Sequence, residues 1–564
     1  MSTAGQAEGR APSRLPAGAL SIAVAAALLL ALALAGAVAW NRDLQVDEIE
    51  HTYAAYSVHQ GLKLYVDVWQ AHPPLLYWML APLIEGSEPL ATYRRERLLT
   101  FSIYLLGVAL AGYCAARLAG GWAGVLAAGL GLLHTTWVER GMEIRPDGAL
   151  GVAAVAALAL ELAPDLPSRG RLAGQGAILG LAALLTQKAA FLCLFFGLLW
   201  VVRAWRERRP RNLLLPLAAW SAVVGTGLAV LAAEGLLAAF LRVNVGDSLR
   251  VATGGASYRQ TFGALDLLVH ESRRNVAFVV LFAGGLVLAA LRLARRWRRD
   301  LGFAVVLTVG LVATLFLNPF PFSYLHVTVL PVVAVLAAYP VGVFATELPD
   351  KWRSWGGIAV LGALIAAAAT SLPRLLVKAQ PALARQVETP VELARITALD
   401  DRVFDLVGFY FRPAAHPVYF MTSNLMARYR AGGLPPIEAT LREREVVAFL
   451  LNYRMLWLRP EEGRFFLERF AHYDGNIFLL GRELAQLVPG VETDFEALKR
   501  KEFVFTGPGR LWVDGQPFSR GTLERGLHRL RVDETARAGK LILATPDPQP
   551  QMRRPPGELF VNFD

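Results

Sequence analysis

Asp47, Glu48, Glu50 and His51 set three carboxyl groups and an imidazole within five positions of the stretch "LQVDEIEHTYAAYSVHQG". A second cluster, "ERGMEIRPDG", holds Glu139, Arg140, Glu143, Arg145 and Asp147, while Lys188 stands alone in the apolar surroundings of "LLTQKAAFL". His72 precedes a Pro-Pro pair between them. Carboxylates and cations in one cavity suit a reaction in which a hydroxyl loses a proton as a phosphate departs. The carboxylate accepts the proton and the cations neutralise the leaving group. The plainer role for the first cluster is a helix cap, with Asp47 as N-cap and Glu50 three residues later. His51, four residues after Asp47, has the spacing of two metal ligands on one helix face, but a lone pair is no metal centre. The sequence requires no cofactor and leaves a divalent cation open. His134 and His326 fall inside apolar runs and read as structural.

Whether these groups meet depends on the elements that carry them. Of 564 residues, 55% are apolar and 18% charged, with a mean hydropathy of +0.40, the composition of an integral membrane protein. Runs long enough to cross roughly 30 Å of hydrocarbon lie at 17–40, 98–116, 118–138, 148–163, 213–233, 275–291, 301–317, 325–345 and 355–372. The first follows Arg10 and Arg14, is too long for a signal-peptide core and reads as an uncleaved span. The net charge of +11 concentrates in "RAWRERRPR" (203–211) and "RLARRWRRD" (292–300). Both abut apolar spans, which marks a cytoplasmic face and not a nucleic-acid surface. Cys114 and Cys193 lie in apolar runs, so neither a disulfide framework nor a zinc site is expected.

Arginine placement also decides two ambiguous stretches. The run 172–202 has arginines at both ends, so it is a hairpin of two helices of about 15 residues, roughly 22 Å each, with its tip 186–189 recessed in the outer half of the membrane. The stretch 72–84, "HPPLLYWMLAPLI", is too short to cross and is a juxtamembrane or re-entrant piece. The expectation is a polytopic α-helical membrane protein of about eleven transmembrane helices with its N-terminus cytoplasmic. Loops 41–97, 139–147, 186–189, 234–274 and 318–324 then lie on the outer side, and with them Asp47, Glu48, Glu50, His51, His72, the second cluster and Lys188. Residues 1–372 form the membrane module, and 373–564 a C-terminal extracytoplasmic α/β domain. In that domain "VFDLVGFYF" and "PVYFMTS" are followed by "EREVVAFLLNYR", read as helix, and by the strand-rich "FVFTGPGRLWVDGQPF". No P-loop, GxSxG, HExxH or Rossmann glycine pattern argues for another chemistry.

"VDEIEHTYAAYSVHQGLKLYVDVWQAHPPLLYWMLAPL" closely resembles the first outer loop of the GT-C glycosyltransferases, enzymes that use polyprenyl-phosphate sugars and include protein O-mannosyltransferases and lipid A aminoarabinose transferases. The resemblance extends to "MEIRPDGAL", "LLTQKAAFL" and "FPFSYLHVTVLPVVAVLAAY", in that order, over about 1–372. It implies a catalytic carboxylate at Asp47 acting as general base, with Glu48 beside it positioning acceptor or sugar. Arg145 and Lys188 then neutralise the departing phosphate with the help of His72. Asp147 completes what the resemblance gives, with a single, inverting displacement; Glu143 and His51, from the same clusters, are the further candidate substrate-binding residues. The aminoarabinose branch has a lysine before a proline where this chain has His72-Pro73-Pro74, a departure that bears on phosphate binding and on the acceptor. The implied partners are a polyprenyl-phosphate sugar donor, a glycolipid, glycan or protein acceptor, and the bilayer of a bacterial inner membrane; no nucleic acid is implied. The alternative is a transporter or flippase of a lipid-linked or anionic substrate, in which the same charges line a pathway. Against it, the hydropathy shows no matched halves and the charges gather at one face.

Overall fold

In hydrocarbon a helix satisfies its own backbone groups, so the apolar runs are helical. The computed structural model describes residues 17–85, 88–247, 263–317, 322–349, 354–411, 429, 432, 434–545, 555–557 and 559. The chain enters as α1 (Ala17–Asn41), followed by α2 (Val46–His59), the six-residue α3 (Leu75–Leu80) and the long α4 (Pro89–Ala119). Next come α5 (Gly121–Leu133), α6 (Thr135–Gly141), α7 (Pro146–Glu161), α8 (Ser168–Leu185), α9 (Ala189–Arg206) and α10 (Arg211–Ala233). After a short helical turn at 237–247 follow α11 (Ala264–Arg274), α12 (Val276–Arg295), α13 (Arg299–Leu317), α14 (Leu330–Glu347), α15 (Ser354–Lys378) and α16 (Ala382–Ile396). Every segment expected to cross contains a helix. Among the described residues, eight helical segments are long and apolar enough to span a membrane. Within the expected crossings, α5, α7 and α8 fall short in length or apolarity, so the count of eleven crossings is not reached on that measure.

Most of α14 is buried, and it runs through the bundle against α4, α5 and α12. Gly120, at φ +88°, reverses the chain between α4 and α5, and a Cβ there would come within 2.7 Å of Thr346 on α14. Only glycine combines that backbone angle with that approach. The run 172–202 is a helical hairpin broken at Thr186–Lys188, with arms of 18 residues each. They are longer than expected because both helices continue into the arginine-bearing flanks. Helix α4 begins nine residues before the expected span, so Glu96 and Arg97, read as loop, lie inside the helix and are buried.

The C-terminal part carries β1 (Arg402–Phe404), α17 (Ile437–Glu443), β2 (Val446–Leu450), α18 (Pro460–Arg469), β3 (Phe470–Asp474) and β4 (Ile477–Glu483). The remaining strands are β5 (Thr493–Ala497), β6 (Lys501–Thr506), β7 (Leu511–Val513), β8 (Gln516–Phe518), β9 (Arg520–Leu523), β10 (Gly526–Val532) and β11 (Lys540–Leu543). A seven-stranded sheet has the order β1-β2-β4-β11-β6-β9 with β3 also on β4, and a four-stranded sheet has the order β5-β10-β7-β8. "EREVVAFLLNYR" is not a helix. Its Val446–Leu450 is a strand between β1 and β4, buried at every position. A continuously apolar run buried on both faces gives no period to tell strand from helix, and the paired valines favour the sheet. "VDGQ" is the hairpin it looks like: Asp514 (φ +50°) and Gly515 (φ +78°) turn β7 into β8. "PVYFMTS" lies outside the described residues. One apolar core contains Leu44, Ile49 and Tyr93 together with Phe409, Phe411 and Val447, so the first loop and the C-terminal part are packed into each other.

Candidate active site

Helix α2 starts one residue before Asp47. Gln45 is its N-cap, and Glu48, at the third helical position, accepts the Gln45 N–H at 3.0 Å. Asp47 is therefore not the cap. Glu48 is fully buried, and its oxygens take Arg42 at 2.9 Å, Arg97 at 3.1 and 3.3 Å, and the Ile144 N–H at 3.3 Å. Burial alone would raise its pKa, but the two guanidiniums outweigh that and hold it at about 2. With every acceptor direction filled from within, Glu48 has nothing left for a sugar or an acceptor. It ties the end of α1, the start of α2, α4 and the second loop together.

Asp47 points the other way. Its carboxylate is paired with the Nη1 of Arg145. The Nε of Arg145 lies 3.4 Å from Asp147, and the other oxygen of Asp147 takes Lys188 Nζ at 2.5 Å. The Arg145 guanidinium sits 3.5 Å from the ring centre of Tyr324, and Lys188 Nζ 4.7 Å from it. Asp47 and Lys188, the two ends of this chain of charges, are each 22% exposed, while Arg145 and Asp147 between them are buried. Four separate segments meet here, and local structure positions each: Arg145 is the N-cap residue of α7, Asp147 lies in its first turn, and Lys188 is the last residue before α9. Gln187 holds the hairpin tip in place by donating to Asn244 Oδ1 at 2.9 Å and to the Ala71 carbonyl. Lys188 also lines a small cavity with Leu150, Phe191, Leu192, Leu311, Leu315 and Leu325, which the side chains of Thr314 and Thr328 share.

His51 and His72 are neighbours, with ring centres 5.2 Å apart, and His51 Nδ1 is hydrogen-bonded to Tyr77 Oη at 2.9 Å. Burial, with Arg145 nearby, brings His51 down to about 3. Burial, with His51 and Lys188 beside it, also lowers His72 well below its usual range. Both rings are neutral, so they offer hydrogen bonds and no positive charge. The Nδ1 of His72 has no hydrogen-bond partner among the described residues. Glu143 sits among Arg140 (2.7 Å), Arg42 (3.8 Å) and Arg145 of the cluster (3.9 Å), and burial pushes its carboxyl up against the pull of these cations. Glu139 turns away to Arg374, at 2.8 Å from Nη2. His134 caps α6, accepting the Trp137 N–H at 3.3 Å, and takes no part. His326 lies two residues after Tyr324 in the same short helical turn, 323–328, and among the described residues forms no ion pair or hydrogen bond with the Asp47 network. Among the described residues no three His, Cys, Asp or Glu side chains gather as metal ligands would; Asp47 and His51 have separate partners.

The chain is similar to ArnT from Cupriavidus metallidurans bound to undecaprenyl phosphate, with a TM-score of 0.57 and 12% identity over 82% of this chain and 98% of that one. Against ArnT in the apo state the TM-score is 0.54, with 14% identity over 78% and 93%. The chain has a GT-C fold. The Archaeoglobus fulgidus oligosaccharyltransferase in its apo form is more distant, with a TM-score of 0.49 and 12% identity over 80% of this chain and 73% of that one. No protein-family model matches the sequence, and neither does any curated protein.

Within this GT-C fold, sequence reading passed over Tyr324, Arg42, Arg97 and Tyr77, and gave Glu50 only a capping role. Tyr324 was visible as an aromatic in a polar turn between two spans, and Arg42 as a cation directly after the first. Arg97 was hidden among the arginines of "YRRERLL", only one of which turns inward.

Proposed function

We propose that the protein is a membrane glycosyltransferase that moves a sugar from a polyprenyl-phosphate donor to an acceptor hydroxyl at the outer membrane face. The observation that carries this is the Asp47–Arg145–Asp147–Lys188 network under Tyr324, standing beside a small cavity in a GT-C fold. The donor phosphate then lies at Lys188 and Arg145, with its lipid tail along the apolar side chains beside Lys188. Asp147 holds both cations at their spacing. His72 supplies a neutral N–H donor next to them. A phosphate competes with Asp47 for Arg145, and so releases the carboxylate when the donor is in place. Asp47 then accepts the proton of the acceptor hydroxyl as its oxygen bonds to the anomeric carbon. The bond from that carbon to the phosphate oxygen breaks in the same displacement, inverting the centre, and polyprenyl phosphate leaves with the electron pair. Glu48 and Glu143 brace the loops from behind. The membrane is the bacterial inner membrane, with the C-terminal domain outside.

Purified protein in detergent, with no ion gradient, should form product from a polyprenyl-phosphate sugar and none from a nucleotide sugar. Asp47→Asn should lower turnover by about a hundredfold or more while the protein still binds the donor. Because Gln45, not Asp47, caps α2, this substitution removes no cap. Transfer from a nucleotide sugar, or near-normal turnover by Asp47→Asn, overturns the assignment. Substrate movement across vesicles with no product formed favours a transporter.

A further inference from the structure

Arg42, a partner of Glu48, also lines a groove that the Asp47 network does not share. Helices α1 and α15 pack against each other, and each ends in charge: Arg42 and Asp43 follow α1, and Lys378 is the last residue of α15. Together with Arg385 and Gln386 of α16 and with Leu559, these residues border a groove of about 630 Å³, a volume within the roughly 300–1,000 Å³ of small-molecule sites. Gln386 holds the frame: its Oε1 accepts the Leu44 N–H at 2.7 Å, and its Nε2 donates to the Leu559 carbonyl at 3.0 Å.

The charges in the groove do not balance. Its lining carries Arg42, Lys378 and Arg385 against the single carboxylate of Asp43, which takes Lys378 Nζ at 3.2 Å. Arg385 is exposed, and among the described residues only its Nε is engaged, on the Pro381 carbonyl at 3.3 Å. Arg42 is 3% exposed, and the acids beside it are shared: Glu48 with Arg97, and Glu143 with Arg140 and Arg145. The Nε of Arg42 has no hydrogen-bond partner among the described residues. A buried N–H without an acceptor is costly and uncommon in a folded protein, and an arginine that merely lifts its charge to the interface is not buried. Such a set suits an anion with several acceptor oxygens, as a phosphate has. The groove also borders lipid. Val377, in its lining, is 69% exposed, and Leu376 beside it is 50% exposed. Trp40, two residues before Arg42, is exposed as well, with the Arg94 guanidinium 4.7 Å from its ring centre. An exposed tryptophan at a helix end marks the membrane–water boundary.

We propose that this groove seats the phosphate head group of an anionic phospholipid, at the end of the bundle that holds the Asp47 network and separate from the site assigned to the donor. The phosphate takes Lys378 and Arg385 and brings acceptor oxygens to Arg42, while the acyl chains lie along Leu376 and Val377. The lipid then ties α1 and α15 to α16, whose Leu383 and Val387 belong to the core shared by the first loop and the C-terminal part. This holds whichever reaction the protein performs.

The test is the melting temperature of the full-length protein in a neutral detergent. It is titrated with phosphatidylglycerol, with phosphatidylcholine of the same acyl chains, and with inorganic phosphate. Phosphatidylglycerol should raise the melting temperature saturably. The zwitterionic lipid and the free anion, lacking net charge or a tail, should not. Arg385→Gln alters an exposed side chain and should melt like the wild type without lipid. It should weaken the apparent affinity for phosphatidylglycerol about fivefold, and Lys378→Gln should weaken it as much again. Lys188→Met, at the donor site, should leave the rise intact. An equal rise with phosphatidylcholine, or a rise unchanged in the Arg385→Gln, Lys378→Gln double variant, overturns the inference. A rise lost in Lys188→Met but kept in the double variant puts the lipid at the donor site and overturns it too. A rise with inorganic phosphate alone, abolished in the double variant, makes the groove a site for free phosphate and overturns the lipid assignment.

Discussion

Lys188 shows what one residue carries in this molecule. A lysine at the tip of a hydrophobic hairpin can simply lift its ammonium to the interface. Here it turns inward, 2.5 Å from Asp147 and over the ring of Tyr324, beside a small cavity. If it holds a phosphate, its charge matters more than its bulk. Lys188→Met keeps length and apolarity and should fold, yet lose about 2–4 kcal/mol of transition-state stabilisation, two to three decades in rate. Lys188→Arg should retain more. Steady-state kinetics with a polyprenyl-phosphate sugar check this, and equal mild losses from both variants would point to an interfacial lysine.

At the scale of elements, Glu48 is the joint. Its carboxylate collects Arg42 from just past α1, Arg97 from α4 and the backbone of the second loop at Ile144, and its own helix cap at Gln45. Removing one partner of such a buried cluster leaves charge unpaired. Arg97→Gln should therefore cost about 3–5 kcal/mol, seen as a lower denaturation midpoint of the detergent-solubilised protein. Glu48→Gln should cost as much by orphaning two guanidiniums. Loss of turnover in either variant without loss of stability would mean that Glu48 meets substrate after all. The hairpin α8–α9 is the second joint. Its helices were legible from arginines at both ends, but the docking of its tip through Gln187 onto Ala71 and Asn244 was not. Both those partners are ordinary residues in distant loops.

For the whole molecule, one buried acid sets the two arginine-rich runs at a common end. Glu161 at the end of α7 binds Arg203 at 2.5 Å and Arg299 at 3.5 Å, so the two arginine-rich runs lie at the same end of the bundle. The Asp47 network occupies the opposite ends of α7 and α9. In a Cys114→Ser, Cys193→Ser background, single cysteines in 203–211 and 292–300 should resist a membrane-impermeant thiol reagent applied to whole cells. Cysteines on the surface of the C-terminal domain should react. Labelling of the arginine runs from outside would reverse the orientation and remove the site from the outer face.

The sequence by itself determined the membrane class, the places of the membrane helices, the hairpin, the glycine turn among the C-terminal strands and the charges of the Asp47–Lys188 network, though not Arg42 or Arg97. Hydropathy and turn chemistry are local, and an isolated charge in an apolar run is conspicuous wherever it points. Tertiary structure alone decided which of two adjacent acids faces the cavity. Asp47 and Glu48 differ by one position, about 100° around a helix. That rotation sends one to Arg145 and the other into a buried joint whose partners lie 6 and 49 residues away. Tertiary structure also made a strand of Val446–Leu450, where burial on both faces erased any period, and it packed Phe409 and Phe411 against Tyr56 and Tyr93 of the first loop and α4. Such contacts depend on how distant elements pack, and no spacing along the chain records them.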